Sequence, residues 1–173
     1  MAQRSGNSAL QTLMTATVSE ACVKTPVFLP GTATVMDAAV TMKQQRTKSV
    51  LVECEGKTGI FTASNFRDII LTATPAHTPL SEVAHFELIT SDINDYLFNA
   101  LLTMTRHSIQ RVVVTEHGKP TGVLEQIDLL SYFSNHSHLI AQQIELATSL
   151  PALKEVALQI DRLVAVLTSH GIK

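Results

Sequence analysis

Few residue types in this chain could do chemistry, and their spacing decides how each is read. Seven histidines invite a metal site. His136 and His138 form a His-x-His pair, but residues two apart on a helix face different ways, and no Cys, His or carboxylate motif stands nearby at ligand spacing. They read as polar residues at a helix start, and no metal site is expected. Cys22 and Cys54 lack an activating neighbour and read as small hydrophobes rather than nucleophiles. Met36, Met42 and Met104 fall at helical spacing and read as core or dimer surface. There is no nucleophile elbow, P-loop or dinucleotide-binding glycine pattern. What remains is a group of cations. Lys48 and Arg111 precede short apolar runs, with Arg46, Arg67 and His107 nearby. Each alone reads as a solvated surface cation; together they are of the type that meets phosphates. Arg67 falls in the first turn of a helix, where the dipole disfavours a cation and an anionic partner would offset the cost. Scattered histidines are the only support for a small enzyme, so the chain is read as non-catalytic.

The elements that must position these residues come from an internal repeat. Ala33–Phe66 aligns with Asp95–Leu129. Ala38, Thr41 and Met42 match Ala100, Thr103 and Met104 at an offset of 62, as Val50, Val52, Gly56 and Lys57 match Val112, Val114, Gly118 and Lys119. At Gly59 and Gly122 the offset is 63, which places one extra residue in the second turn. Each copy predicts the same order. A helix carries Val35, Ala38, Ala39 and Met42, or Leu97, Ala100, Leu101 and Met104, at i, i+3, i+4 and i+7. Strands follow at Ser49–Glu53 and Arg111–Thr115, then turns with Glu-Gly-Lys and His-Gly-Lys. Second strands cover Gly59–Thr62 and Thr121–Glu125, and second helices Asn65–Thr72 and Ile127–Ser134. With leading strands near Val27–Leu29 and Leu88–Thr90, each unit is β-α-β-β-α. The fold class is therefore α+β (α/β), with Ala73–Glu82 a connector into a short helix. The expected division is a flexible lead-in at 1–17, modules at 18–78 and 79–135, and a helical tail at 136–173. The tail breaks at Pro151, and its last helix carries an apolar stripe from Leu153 to Leu167 that must pack on something.

Composition narrows the function. Thirteen Lys+Arg against 15 Asp+Glu leave a formal charge of −2, and only 5% of residues are aromatic, so neither a nucleic-acid stripe nor a base-stacking platform is expected. No run of apolar residues is long enough to span a membrane, and the first residues lack a signal-peptide core. Two cysteines cannot build a disulfide scaffold, which points to reducing cytoplasm. A mean hydropathy of +0.19 suggests apolar surface meant for another subunit or domain.

The segments TVMDAAVTMKQQRTKSVLV…GKTGIFTASNFRDII and LFNALLTMTRHSIQRVVV…GKPTGVLEQIDLLSYF resemble a tandem pair of CBS domains, the modules named after cystathionine β-synthase, over about residues 18–135. That resemblance implies two modules related by a pseudo-twofold axis, clefts between them, and a flat homodimer of the pair. The tail resembles the linker helices that precede a nucleotidyltransferase-like domain in certain bacterial signalling proteins. No Gly-Ser motif with metal-binding acids follows residue 136, so the catalytic domain itself is not expected here.

The same resemblance implies a Gly-apolar-apolar-Ser/Thr-x-x-Asp segment closing each module. Its hydroxyl would face a phosphate at a helix start and its acid would bond ribose. The first copy has Thr62 and Ser64 but Asn65 at the acid position; the second has Asp128 but Glu125 at the hydroxyl position. A carboxylate beside a phosphate is repulsive unless a cation intervenes. Each copy thus keeps one element, and Thr62 and Asp128 also read as simple helix caps. The first cleft is the better phosphate site. The candidate ligand-binding set is Lys48, Thr62, Ser64, Asn65, Arg67, Arg111, Glu125 and Asp128. The expected function is a regulatory module binding AMP, ADP or ATP, with no obligatory cofactor, that controls an attached or partner effector such as a nucleotidyltransferase. The alternative is a dimerisation module whose nucleotide sites have degenerated.

Overall fold

A computed structural model describes residues 15–21 and 23–135. Cys22, the lead-in before residue 15 and the tail from residue 136, with His136, His138 and the Leu153 stripe, lie outside the described residues. The chain forms two compact units of mixed α and β structure. One is Thr25–Thr90; the other joins residues up to Lys24 to those from Ser91 onward. The linear repeat therefore exchanges its leading segments: the chain starts in one unit, crosses at Lys24–Thr25 and returns at Thr90–Ser91.

In the Thr25–Thr90 unit, β1 (Phe28–Pro30) pairs parallel with β2 (Ser49–Cys54), which pairs antiparallel with β3 (Lys57–Thr62). Helix α1 (Val35–Gln44) precedes β2, helix α2 (Asn65–Leu71) follows β3, and the short α3 (Leu80–Val83) completes the unit. A capping box starts α1: the Thr34 hydroxyl accepts from the Asp37 N–H at 3.1 Å, and the Asp37 carboxylate accepts from the Thr34 N–H at 2.8 Å. Arg46, at φ 52°, turns the chain out of the helix. Ala38 and Met42 of α1 pack with Val50, Val52, Phe61 and Leu80 to form the core. Phe66 meets the edge of Phe61 at 5.1 Å between ring centres.

In the other unit, β4 (Thr90–Asp92), β5 (Arg111–Glu116) and β6 (Lys119–Glu125) form the matching three-stranded sheet. Helix α4 (Leu97–Arg106) precedes β5 and leaves through Ser108, again at φ 52°. Helix α5, residues 126–135, follows β6. The 3-10 turn Val18–Glu20 corresponds to α3, since Val18 N–H bonds Asp95 O as Leu80 N–H bonds Ala33 O. Leu97, Ala100, Met104, Val112, Val114 and Leu124 are buried here.

Both hairpins turn on two residues with positive φ, Glu55-Gly56 and His117-Gly118, as a type I′ turn requires. The turns are therefore equal in length, and the extra residue of the second copy is not in its turn. It is a bulge within β6: Val114 faces Gly122 while Thr115 faces Pro120, leaving Thr121 over. The bulge keeps Gly122 and Glu125 in the places that Gly59 and Thr62 hold in β3. Apolar surface left open includes Ile70 and Leu71 on α2, Met36 and Val40 on α1, and Ile127 and Leu130 on α5.

Candidate functional site

The segment after β3 is built from short polar side chains that satisfy one another. Asn65, the first residue of α2, is buried. Its Oδ1 accepts from the Thr62 N–H and the Thr62 hydroxyl, each at 2.8 Å, and its Nδ2 donates to the Val83 carbonyl at 3.5 Å. Thr62 and Ser64 hydroxyls lie 2.6 Å apart, with Ser64 exposed. Opposite Thr62 in the sheet stands Ser49, also buried. These bonds tie the start of α2 back to the end of β3 and turn the Asn65 acceptor inward rather than outward. The Thr62 hydroxyl is less committed. If it rotates away, Asn65 Oδ1 keeps the backbone N–H. Lys48 and Arg67 are exposed and make no ion pair among the described residues. Lys48 is tied to the same turn by its carbonyl, which accepts from the Ala63 N–H at 2.9 Å.

The equivalent place after β6 is charged. Glu125 is buried at 5% exposure. Its Oε1 accepts from Arg111 Nε at 3.0 Å, and its Oε2 accepts from Lys24 Nζ at 2.9 Å. Lys24 Nζ also forms an ion pair of 3.2 Å with Asp128 Oδ2, a buried atom. Arg111 and Glu125 face each other in the sheet, and Lys24 is held by paired backbone bonds of 3.0 Å with Val123. Gly122 permits that approach: a Cβ there would collide with Val23 and meet the Lys24 carbonyl at 3.4 Å. Burial pushes the Glu125 carboxyl up, but hydrogen bonds and charge from Lys24 and Arg111 outweigh it and hold the group below its ordinary value. Lys24 is the mirror case: burial lowers its amine, and the bonds to Glu125 and Asp128 outweigh that and raise it.

The candidate residues thus fall into two sets. Lys48, Thr62, Ser64, Asn65 and Arg67 lie around the start of α2; Arg111, Glu125 and Asp128 lie around the start of α5. Sequence reasoning missed Lys24. It is far from Glu125 along the chain, and only the exchange of leading segments brings them together. A weak signal was present, because Thr17-Val-Ser-Glu before it echoes Pro79-Leu-Ser-Glu in the connector. The cation that a carboxylate at position 125 requires is supplied twice, by Arg111 and Lys24. Cys54 is half-buried and free, and no cluster of metal-ligating side chains occurs among the described residues. No helix among them is long and apolar enough to cross a membrane.

The family model of the CBS domain matches residues 18–72 and 80–135. Among solved structures, an uncharacterized conserved protein from Pyrococcus horikoshii is 27% identical, with a TM-score of 0.65 over 69% of this chain and 92% of that one. A CBS-domain containing protein from Agrobacterium tumefaciens is 19% identical, with a TM-score of 0.62 over 68% and 93%. A CBS domain pair in complex with 5′-methylthioadenosine and S-adenosyl-L-methionine is 18% identical, with a TM-score of 0.62 over 69% and 97%. Likenesses below a quarter identity speak to the fold alone. No curated protein matches the chain.

Proposed function

The chain belongs to the CBS domain family, and from that premise we propose that it is a non-catalytic regulatory module binding an adenine nucleotide. AMP, ADP and ATP are the intended ligands, and the bound state is passed to an effector, a nucleotidyltransferase being the candidate. The observation that carries this reading is the neutral, hydroxyl-rich turn Thr62–Asn65, flanked by the exposed cations Lys48 and Arg67, which make no ion pair among the described residues. The Thr62 and Ser64 hydroxyls meet an anionic group, and the two cations balance its charge. The relative bound to 5′-methylthioadenosine and S-adenosyl-L-methionine supports an adenine-containing ligand class. The exposed apolar residues of α1 and α5 suit assembly of two copies, and the compartment is cytoplasmic. A switch of this kind needs only a difference in affinity between two states.

The test is a thermal-shift screen of the chain against AMP, ADP, ATP and S-adenosylmethionine. A ligand at about 100 times its Kd should add about 2.7 kcal/mol, a shift of several degrees. The shift should vanish in Thr62→Val. A flat response from a chain that is still dimeric by light scattering would replace the sensor with a dimerisation module, the reading that the charged second site favours.

A further inference from the structure

Four backbone positions recur in both units, and only one unit fills them with charge. In Thr25–Thr90 they hold Ser49, Thr62, Asn65 and His85; in the other unit they hold Arg111, Glu125, Asp128 and Lys24. Strand register fixes the match. Ser49 faces Thr62 as Arg111 faces Glu125, and Ile60 bridges His85 as Val123 bridges Lys24. Two cations that converge on one buried acceptor at the start of a helix form an anion-binding arrangement. Here the anion is part of the chain.

We propose that Glu125 is a built-in anion that closes its own unit to phosphate-bearing ligands, so that each chain takes up one such ligand, in the Thr25–Thr90 unit. The proposal rests on the reading above for where a ligand's anionic group is met. To bind after β6, a phosphate must either displace the Glu125 carboxylate from Arg111 and Lys24 or sit beside it. Displacement leaves a buried acid without partners, and coexistence sets the phosphate against both Glu125 and Asp128. An acid tethered in place also competes at a high effective concentration. None of this applies after β3, where positions 49 and 62 are neutral and Lys48 and Arg67 have no internal anion among the described residues.

Calorimetric titration of the full chain with ATP tests it. Wild type should bind one ATP per chain. Glu125→Thr, which copies position 62, should bind two, and the added site should disappear in Glu125→Thr with Arg111→Ser. Thr62→Glu should remove the site that wild type has. Circular dichroism establishes that each variant is folded; if Glu125→Thr is not, Glu125→Gln, which keeps the shape and removes the charge, decides instead. Two ATP per wild-type chain, or a folded position-125 variant that binds no more than wild type, overturns the proposal. A wild type that binds nothing while Glu125→Thr binds sinks the sensor reading and the single site after β3, and leaves only the closing role of Glu125 standing. Binding by no folded variant overturns both.

Discussion

The two units share element order, turn type and the pairing at the ends of their hairpins, yet they solve the same local problem with opposite chemistry. At the end of β3 a buried Ser49 opposite a half-buried Thr62, and an inward Asn65, join the strand to the helix through neutral hydrogen bonds. At the end of β6 a buried carboxylate does so, held between a strand arginine and a lysine from the leading segment. The neutral version can lose one bond and stay satisfied. The charged version is all or nothing, because removing one partner strands a desolvated charge. A repeat can therefore keep its fold while one copy stays adaptable and the other becomes a rivet.

The largest predicted effect breaks the charged version on one side only. Arg111→Ala should cost about 3 kcal/mol and lower the Tm by roughly 10 °C, because Glu125 loses its strand partner while it stays buried. Arg111→Ser with Glu125→Thr should recover to within about 1 kcal/mol of wild type, because it installs the pair the other unit already uses. A double variant no better than Arg111→Ala would show that the two halves are not interchangeable.

Acid sharpens the same contrast. Glu125 has a lowered folded value, so its contribution is present above the ordinary glutamate range and is lost as pH falls through that lowered value. Lys24 has a raised folded value, so its share holds through neutral pH and is lost only as pH climbs past the ordinary lysine range. The stability gap between wild type and the double variant should therefore be flat around neutrality and shrink on acidification. Denaturant unfolding at several pH values measures it. A gap that grows toward acid would mean that Glu125 is not held as an anion.

Much of this was legible in the sequence, and what escaped has one physical cause. The order of helices, strands and turns follows from local pattern: the i, i+3, i+4, i+7 faces of α1 and α4, the Val-rich runs of β2 and β5, and the Glu-Gly and His-Gly turns. The β6 bulge was misplaced into the turn because an insertion beside Pro120 and Thr121 leaves the same count in either place. Lys24 was invisible for a different reason. Its partners Glu125 and Asp128 are brought to it by the exchange of leading segments, which no local periodicity encodes. The motif position puts Asn65 in the candidate ligand set; the bonds its Oδ1 accepts from the Thr62 N–H and hydroxyl at the strand end are a three-dimensional detail that the motif does not carry.

The glycines beside the two sites give a smaller effect that ranks the units. Gly122→Ala would drive a Cβ into the Val23 side chain, next to Lys24, for about 2 kcal/mol. Gly59→Ala meets the Phe86 ring edge at 2.9 Å and the His85 carbonyl at 3.0 Å. The ring can swing and no ion pair depends on it, so about 1 kcal/mol is expected. Equal Tm losses would mean that the Lys24 link adds nothing to the Gly122 site.

The smallest effect separates the two long helices. Helix α1 begins with a capping box at Thr34, whereas α4 begins at Tyr96, which has no side-chain cap although its backbone is extended as a cap requires. The acid before it, Asp95, is spent on closing the preceding turn, where its carboxylate accepts from the Asp92 N–H at 2.9 Å. Helix α4 offsets the missing cap with burial: six of its residues are buried against three in α1. Thr34→Ala should therefore cost about 1 kcal/mol, while Tyr96→Thr should gain no more than about 1 kcal/mol and leave the fold unchanged. Urea midpoints at constant m would read both. A loss in Tyr96→Thr would show that the exposed tyrosine ring, and not the missing side-chain cap, is what that end of the unit depends on.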